Sequence, residues 1–194
     1  MAHLRDLPTP CLVLDRARLE RNCARMQARA SGLGVALRQH VKTAKSLEVA
    51  RIAGAAGALD DMGPIAVSTL REAEHFVAHG ARDITYAVGI TPDRLARCGE
   101  LVRRGARLRV ITDDVAVARE IARAADADEI AIEVLIEIDV GQHRCGVDAE
   151  SDALLAIADA VAAGRHARLA GVLAHAGHAY DASGVDALRA IAED

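Results

Sequence analysis

A neutral primary amine condenses with carbonyl carbon, whether in a substrate or a cofactor, and few other side chains can do this. Lys42 is a candidate for that chemistry, in the segment LRQHVKTAKS at residues 37–46. Read with a period of two, residues 35–42 put Ala36, Arg38, His40 and Lys42 on one face and Val35, Leu37, Gln39 and Val41 on the other. The alternation predicts a strand over 35–42 that hides its apolar side and stacks an arginine, a histidine and a lysine on the second. Ligands of α/β folds sit at the carboxyl ends of strands, so a lysine as the last residue is well placed for catalysis. A lysine in such a place is more commonly a solvated cap, and the pattern of the whole chain has to decide.

A lysine that attacks a carbonyl must be neutral, and burial or a neighbouring cation disfavours its ammonium form. Arg38 and His40, on the same predicted face, could supply that push or could equally be solvated. Lys45, three residues on, is a rival amine for which a surface role is the better reading. Arg144 sits in the loop DVGQHRCG, residues 139–146, where its guanidinium could hold an anionic oxygen; pairing with Asp139 or Asp148 is the plainer alternative. His175 and His178 flank Gly177 but bring no third ligand, which is weak evidence for a metal. Tyr180 is one of only two tyrosines. Cys145 reads as a small loop filler.

The elements that must position these groups follow from composition and period. At 194 residues and 52% hydrophobic, the chain can build one α/β domain with a sizeable core. One Phe, two Tyr and no Trp leave that core to Ala, Val, Leu and Ile. A net charge of −4, with no basic stripe interleaved with aromatics, argues against nucleic acid and for a small-molecule partner. Cys11, Cys23, Cys98 and Cys145 show neither a C-x-x-C pair nor metal spacing, and read as reduced thiols in a cytosol. No stretch approaches the ~18 apolar residues of a membrane span, and the start lacks a signal-like apolar run. The expectation is a soluble, cytoplasmic protein.

In chain order, CLVLD at 11–15 reads as a brief strand and 16–31 as a helix ended by Gly32 and Gly34, before the strand carrying Lys42. A helix over 46–56 and a turn-rich link over 57–64 follow, then a strand at 65–67 and a helix at 69–78 capped by Ser68. Further strands are expected at 84–88, 108–111, 130–138 and 168–174. Helices are expected at 92–104, 115–124 (capped by Thr112 or Asp113), 150–163 and 185–192. Strict alternation with short links predicts a parallel sheet with right-handed crossovers. Leaving CLVLD aside, six strand–helix units are present, where a closed (β/α)8 TIM-type barrel needs eight and about 200 residues or more. The expected fold is therefore about six units of such a barrel, truncated, with unpaired edges that could pair with another chain. A doubly wound open sheet ranks second, because no G-x-G-x-x-G follows the first strand.

LRQHVKTAKS resembles a segment of the D-threonine aldolase and D-serine dehydratase family, the alanine racemase-like, fold-type III pyridoxal-phosphate enzymes. Four further segments agree in order: DLPTPCLVLD, STLREAEHFVAHGARDI, EIDVGQHRCGV and GVLAHAGHAY. The resemblance implies an N-terminal barrel that binds pyridoxal 5'-phosphate, incomplete in residues 1–194, with the family's C-terminal β domain absent. It implies that Lys42 carries the cofactor, that His40 and Thr43 flank it, that Arg144 lies beside the cofactor ring, and that Tyr180 faces it. The implied activity is that of a lyase acting on D-3-hydroxy amino acids, by retro-aldol cleavage to glycine and an aldehyde as in D-threonine aldolase. Alternatives are a non-catalytic relative that still binds the cofactor, and D-serine dehydratase or racemase chemistry. The family's divalent metal helps activate the substrate hydroxyl, but its ligands lie in the β domain, so no metal ligand is assigned here and little activity is expected of 194 residues alone. A homodimer is compatible with the family. Gln39 and Ala44 depart from the motif, where the family has a proline and a second histidine, and residues 60–64 resemble a small insertion.

Overall fold

Six strands pair in chain order into one parallel sheet: β1 Gln39–His40, β2 Ile65–Val67, β3 Asp83–Gly89, β4 Arg107–Thr112, β5 Ile132–Ile138 and β6 Ala167–Ala174. The computed structural model describes residues 3–54 and 62–193. Helix α1 (Arg16–Gly32) precedes β1; α2 (Leu47–Gly54), α3 (Leu70–Ala78), α4 (Leu95–Arg103), α5 (Val115–Asp128) and α6 (Asp152–Ala162) each connect successive strands; α7 (Val185–Glu193) follows β6. This is the strand–helix alternation expected of a TIM-type barrel, with six of its units in place. Parallel neighbours joined through a helix cover one sheet face with helices and leave the other facing the barrel axis.

Period two sorts the strands between those faces. Ile84 and Tyr86, Leu108 and Val110, and Ile132, Val134 and Ile136 are buried against the helices with Phe76, Leu101, Ile121 and Ile157. Tyr86 is the single tyrosine in this core, and its hydroxyl accepts a hydrogen bond from Arg94 at 2.8 Å. The opposite face is polar at its amino end. There Arg38, Asp83, Arg109, Glu133 and Arg107 form a continuous ion-pair belt with N–O distances of 2.6–2.8 Å.

Several elements differ from the expectation, each for a local reason. Residues 11–15 form no strand; Leu12, Val13 and Leu14 are exposed, since an apolar run without a neighbouring backbone has nothing to pair with. The strand expected over 35–42 is reduced to Gln39–His40, paired with Ile65 and Ala66, because β2 offers only three residues to it. Its predicted faces persist nonetheless, with Gln39 and Val41 toward the helices and Arg38 and His40 inward. Thr69 rather than Ser68 caps α3, its hydroxyl accepting from the Glu72 N–H while the Glu72 carboxylate accepts from both Ser68 and Thr69 N–H groups. Asp114, not Thr112 or Asp113, caps α5. Pro92–Arg94 is a separate 3-10 turn before α4. The expected end of α2, most of the link at 57–64, and part of the insertion at 60–64 fall on residues 55–61, outside the described residues.

Candidate functional site

The carboxyl ends of β1 to β6 surround a cavity of about 530 Å³, lined by His40, Lys42, Ser68, residues 87–89, Asp113, Glu137, Arg144, Cys145 and residues 173–175. That is a volume suited to a small organic ligand. Lys42 and Arg144, far apart in the chain, thus line one cavity together with His40.

Lys42 lies in the turn that leaves β1, not at the end of a long strand. The Val41 N–H still donates to Ala66 at 3.0 Å, and the chain then bends so that the Lys45 N–H donates back to the Val41 carbonyl at 2.9 Å. The Lys42 side chain is exposed, and among the described residues its ammonium makes no ion pair. The His40 ring holds the turn. Lys42 N–H donates to His40 Nδ1 at 3.3 Å, which leaves the ring proton on Nε2, directed to Ser68 Oγ at 3.4 Å. Burial, and secondarily the Lys42 charge, lowers the His40 pKa, so the ring stays neutral at physiological pH. Arg38 does not press on Lys42: it is engaged with Asp83 at 2.8 Å at the other end of the sheet, so the suggested cationic push from that residue is corrected. Gln39 uses its side-chain amide to hold the Ala50 and Met62 carbonyls, stitching β1 to the helix layer.

Arg144 is presented by a loop that spends its own carboxylate on its own backbone. Asp139 accepts from Gly141 and His143 N–H groups, both at 3.0 Å, and from His143 Nδ1 at 2.7 Å. The His143 N–H chiefly, aided by its ring, holds the Asp139 carboxyl below the usual range. Gly146 closes the loop at φ +98°, where a side chain would run into the Ile138–Asp139 backbone, and its N–H donates to Asp113 at 2.8 Å. Arg144 therefore pairs with neither Asp139 nor Asp148; its Nε approaches Cys145 Sγ at 3.5 Å. The Cys145 thiol donates to Glu137 Oε1 at 2.9 Å, and burial together with that carboxylate pushes its pKa up, so the thiol stays protonated.

Tyr180 is 84% exposed and outside the cavity wall; its ring lies 6.2 Å from that of His175, which lines it. Thr43 is exposed in the Lys42 turn. Among the described residues no group of three or more His, Cys, Asp or Glu side chains is placed to hold a metal ion. Sequence reasoning missed Ser68, Asp113 and Glu137. Glu137 carried a legible signal: the second acid, after Glu133, on the inward face of the apolar-rich run IEVLIEI, near the strand's carboxyl end, 5% exposed.

A parallel β/α sheet with a lysine and an arginine lining one cavity at its carboxyl rim is the arrangement of a barrel-type domain. Residues 14–192 match the family described as alanine racemase, N-terminal domain, and the chain belongs to this fold-type III pyridoxal-phosphate family. It is 47% identical over 190 residues to D-threo-3-hydroxyaspartate dehydratase of Delftia sp. (strain HT23), covering 98% of this chain and 49% of that protein. The solved structure of that dehydratase superposes with a TM-score of 0.90 at 48% identity, over 96% of this chain and 48% of the other. The D-threonine aldolase structure from Filomicrobium marinum superposes with a TM-score of 0.88 at 30% identity, over 98% and 50%. The chain spans about half the length of the curated relatives it matches. All four cysteines are free thiols, and among the described residues no helix is long and apolar enough to cross a membrane.

Proposed function

We propose that this chain provides the cofactor-binding wall of a pyridoxal-phosphate lyase acting on D-3-hydroxy amino acids. The observation that carries the reading is the one cavity that Lys42, His40 and Arg144 line together. The residues fit the cofactor: a primary amine without a carboxylate partner can condense with its aldehyde, and a guanidinium lining the same cavity suits its ring oxygen. When bound, pyridoxal phosphate supplies an electron-accepting ring that stabilises charge at the substrate's α-carbon.

This chain's residues have the remaining roles. Lys42 offers the amine that holds the cofactor and, once displaced by the substrate's amine, can move a proton at Cα. Neutral His40 fixes the backbone of Lys42 through Nδ1 and is itself fixed by Ser68. Arg144 holds the ring oxygen by a charge-assisted hydrogen bond. Tyr180 stands outside the cavity wall, its ring beside that of His175, and is given no part in holding the cofactor. Loss of Cα–H followed by departure of the β-hydroxyl would give dehydration; removal of the hydroxyl proton with cleavage of Cα–Cβ would give glycine and an aldehyde. The 47% identity over 190 residues to a dehydratase, against 39% over 153 residues to the D-threonine aldolase of Arthrobacter sp, favours dehydration over the aldol cleavage that the sequence motifs alone suggest.

The test is reductive capture. Chain incubated with pyridoxal 5'-phosphate and then borohydride should carry one adduct, mapped by mass spectrometry to Lys42, and Lys42→Ala should carry none there. An equal adduct yield on Lys42→Ala would refute the assignment. Ammonia release from D-threo-3-hydroxyaspartate, against glycine release from D-threonine, separates the two reactions.

A further inference from the structure

The chain's two lysines, Lys42 and Lys45, stand three residues apart in the same turn, and either could in principle condense with an aldehyde. Their surroundings differ in one respect. Lys45 Nζ lies 3.1 Å from Glu72 Oε1, whereas the Lys42 ammonium has no carboxylate partner among the described residues and lines the cavity. Glu72 is only 8% exposed, and both of its oxygens are committed: Oε2 accepts from Ser68 N–H at 2.8 Å and Thr69 N–H at 3.2 Å, and buried Oε1 faces Lys45 alone. Lys45 is reached with a left-handed backbone, φ +50°, which a non-glycine residue adopts at a cost that a second interaction must offset.

We propose that Glu72 selects the reacting amine: by pinning Lys45 as an ammonium against the start of α3, it leaves Lys42 as the one lysine free to condense. The proposal deepens the function proposed above, since it presupposes that an amine of this turn reacts. Glu72 is a positioning residue, not a catalytic one. It touches the cavity through its neighbours, holding Lys45 in the turn and the Ser68 N–H, with His40 and Ser68 forming a second tie between the same two segments. Burial pushes the Glu72 carboxyl up, but the Ser68 N–H, Lys45 and the Thr69 N–H outweigh it and hold it ionised, as an anchor for a cation requires.

Competitive acetylation with limiting acetic anhydride, read by peptide mass spectrometry across pH, reports each amine's reactivity without cofactor. In the unaltered chain Lys42 should react faster than Lys45. Glu72→Gln, which can still accept from the Ser68 and Thr69 N–H groups, should raise the Lys45 rate about fivefold, the effect a half-exposed ion pair supports, and leave Lys42 within about twofold. Under pyridoxal 5'-phosphate and borohydride, Glu72→Gln should spread the adduct onto Lys45. Unchanged Lys45 reactivity in Glu72→Gln of intact helical circular dichroism overturns the proposal. Should that variant not fold, raising salt from about 0.05 to 1 M on the unaltered chain tests the same pair: screening should quicken Lys45 relative to Lys42, and a constant ratio overturns it. If Lys42 is never captured by pyridoxal phosphate but Lys45 still quickens in Glu72→Gln, the cofactor assignment falls and the selection by Glu72 stands.

Discussion

The two ends of the sheet's inner face use the same residue types to opposite effect. At the amino end three arginines are matched: Asp83 receives both Arg38 and Arg109, and Glu133 receives both Arg109 and Arg107. At the carboxyl end the two cations that line the cavity, Lys42 and Arg144, are not paired in this way. Lys42 has no carboxylate within ion-pair distance among the described residues, Arg144 touches a thiol, and the nearby acids are engaged elsewhere: Glu137 by the Cys145 thiol, Glu72 by Lys45, and Asp139 and Asp113 in closing the loop that carries Arg144. A belt of mutually satisfied charges holds strands in register. Cations held in place without carboxylates stay available to an anionic or carbonyl ligand.

Breaking the belt and breaking the rim should therefore have separable consequences. The largest expected effect is a double dissociation. Asp83→Ala strands Arg38, leaves Arg109 with Glu133 alone, and should cost about 2 kcal/mol in urea unfolding, less than a fully buried pair because Arg38 and Asp83 keep about 28% and 33% of their side chains in water. It should leave capture at Lys42 unchanged. Lys42→Ala should abolish capture while moving stability by no more than about 0.5 kcal/mol. Comparable stability losses from both would show that the two ends are not distinct.

Acid should act on the belt and on the Glu72 anchor next. Burial raises the Asp83 carboxyl, but Arg38 and Arg109 outweigh it and hold it below the usual range. With its folded pKa depressed, Asp83 contributes fully above the ordinary carboxylate value and loses that contribution as pH falls through its lowered one; Glu72 behaves alike. His40 runs the same way nearer neutrality. Its lowered pKa means the unfolded chain binds its proton first, so stability falls as pH drops below the ordinary histidine value. Equilibrium unfolding measured against pH should show a small loss below neutrality and a larger one in acid. In Asp83→Ala the acid loss should shrink.

The smallest expected effect belongs to Arg144→Lys. It keeps the charge but loses the planar fork, and should weaken pyridoxal-phosphate binding by about fivefold, roughly 1 kcal/mol, with unfolding unaltered. A change in unfolding of the same size would assign Arg144 to the belt's kind of role instead.

Much of this was legible beforehand because period and punctuation are local. The inward set Arg38 and His40 and the helix-facing Val41 follow from residue alternation alone, and the loop around Arg144 follows from its glycines. The length of β1 was not legible, since a strand extends only as far as its neighbour, and β2 has three residues. Nor was the silence of CLVLD, whose apolar run pairs with no backbone among the described residues.

By itself, the amino-acid sequence determined the order of strands and helices, the parallel barrel-type sheet, and the family, because hydrophobic period and motif order do not depend on what lies across the molecule. Only the tertiary structure decided which charges cancel. Arg38 and Lys42 read alike in one short segment. One is spent on Asp83 and the other left free, because ion pairing falls off within a few ångströms and the partners come from strands and helices far along the chain.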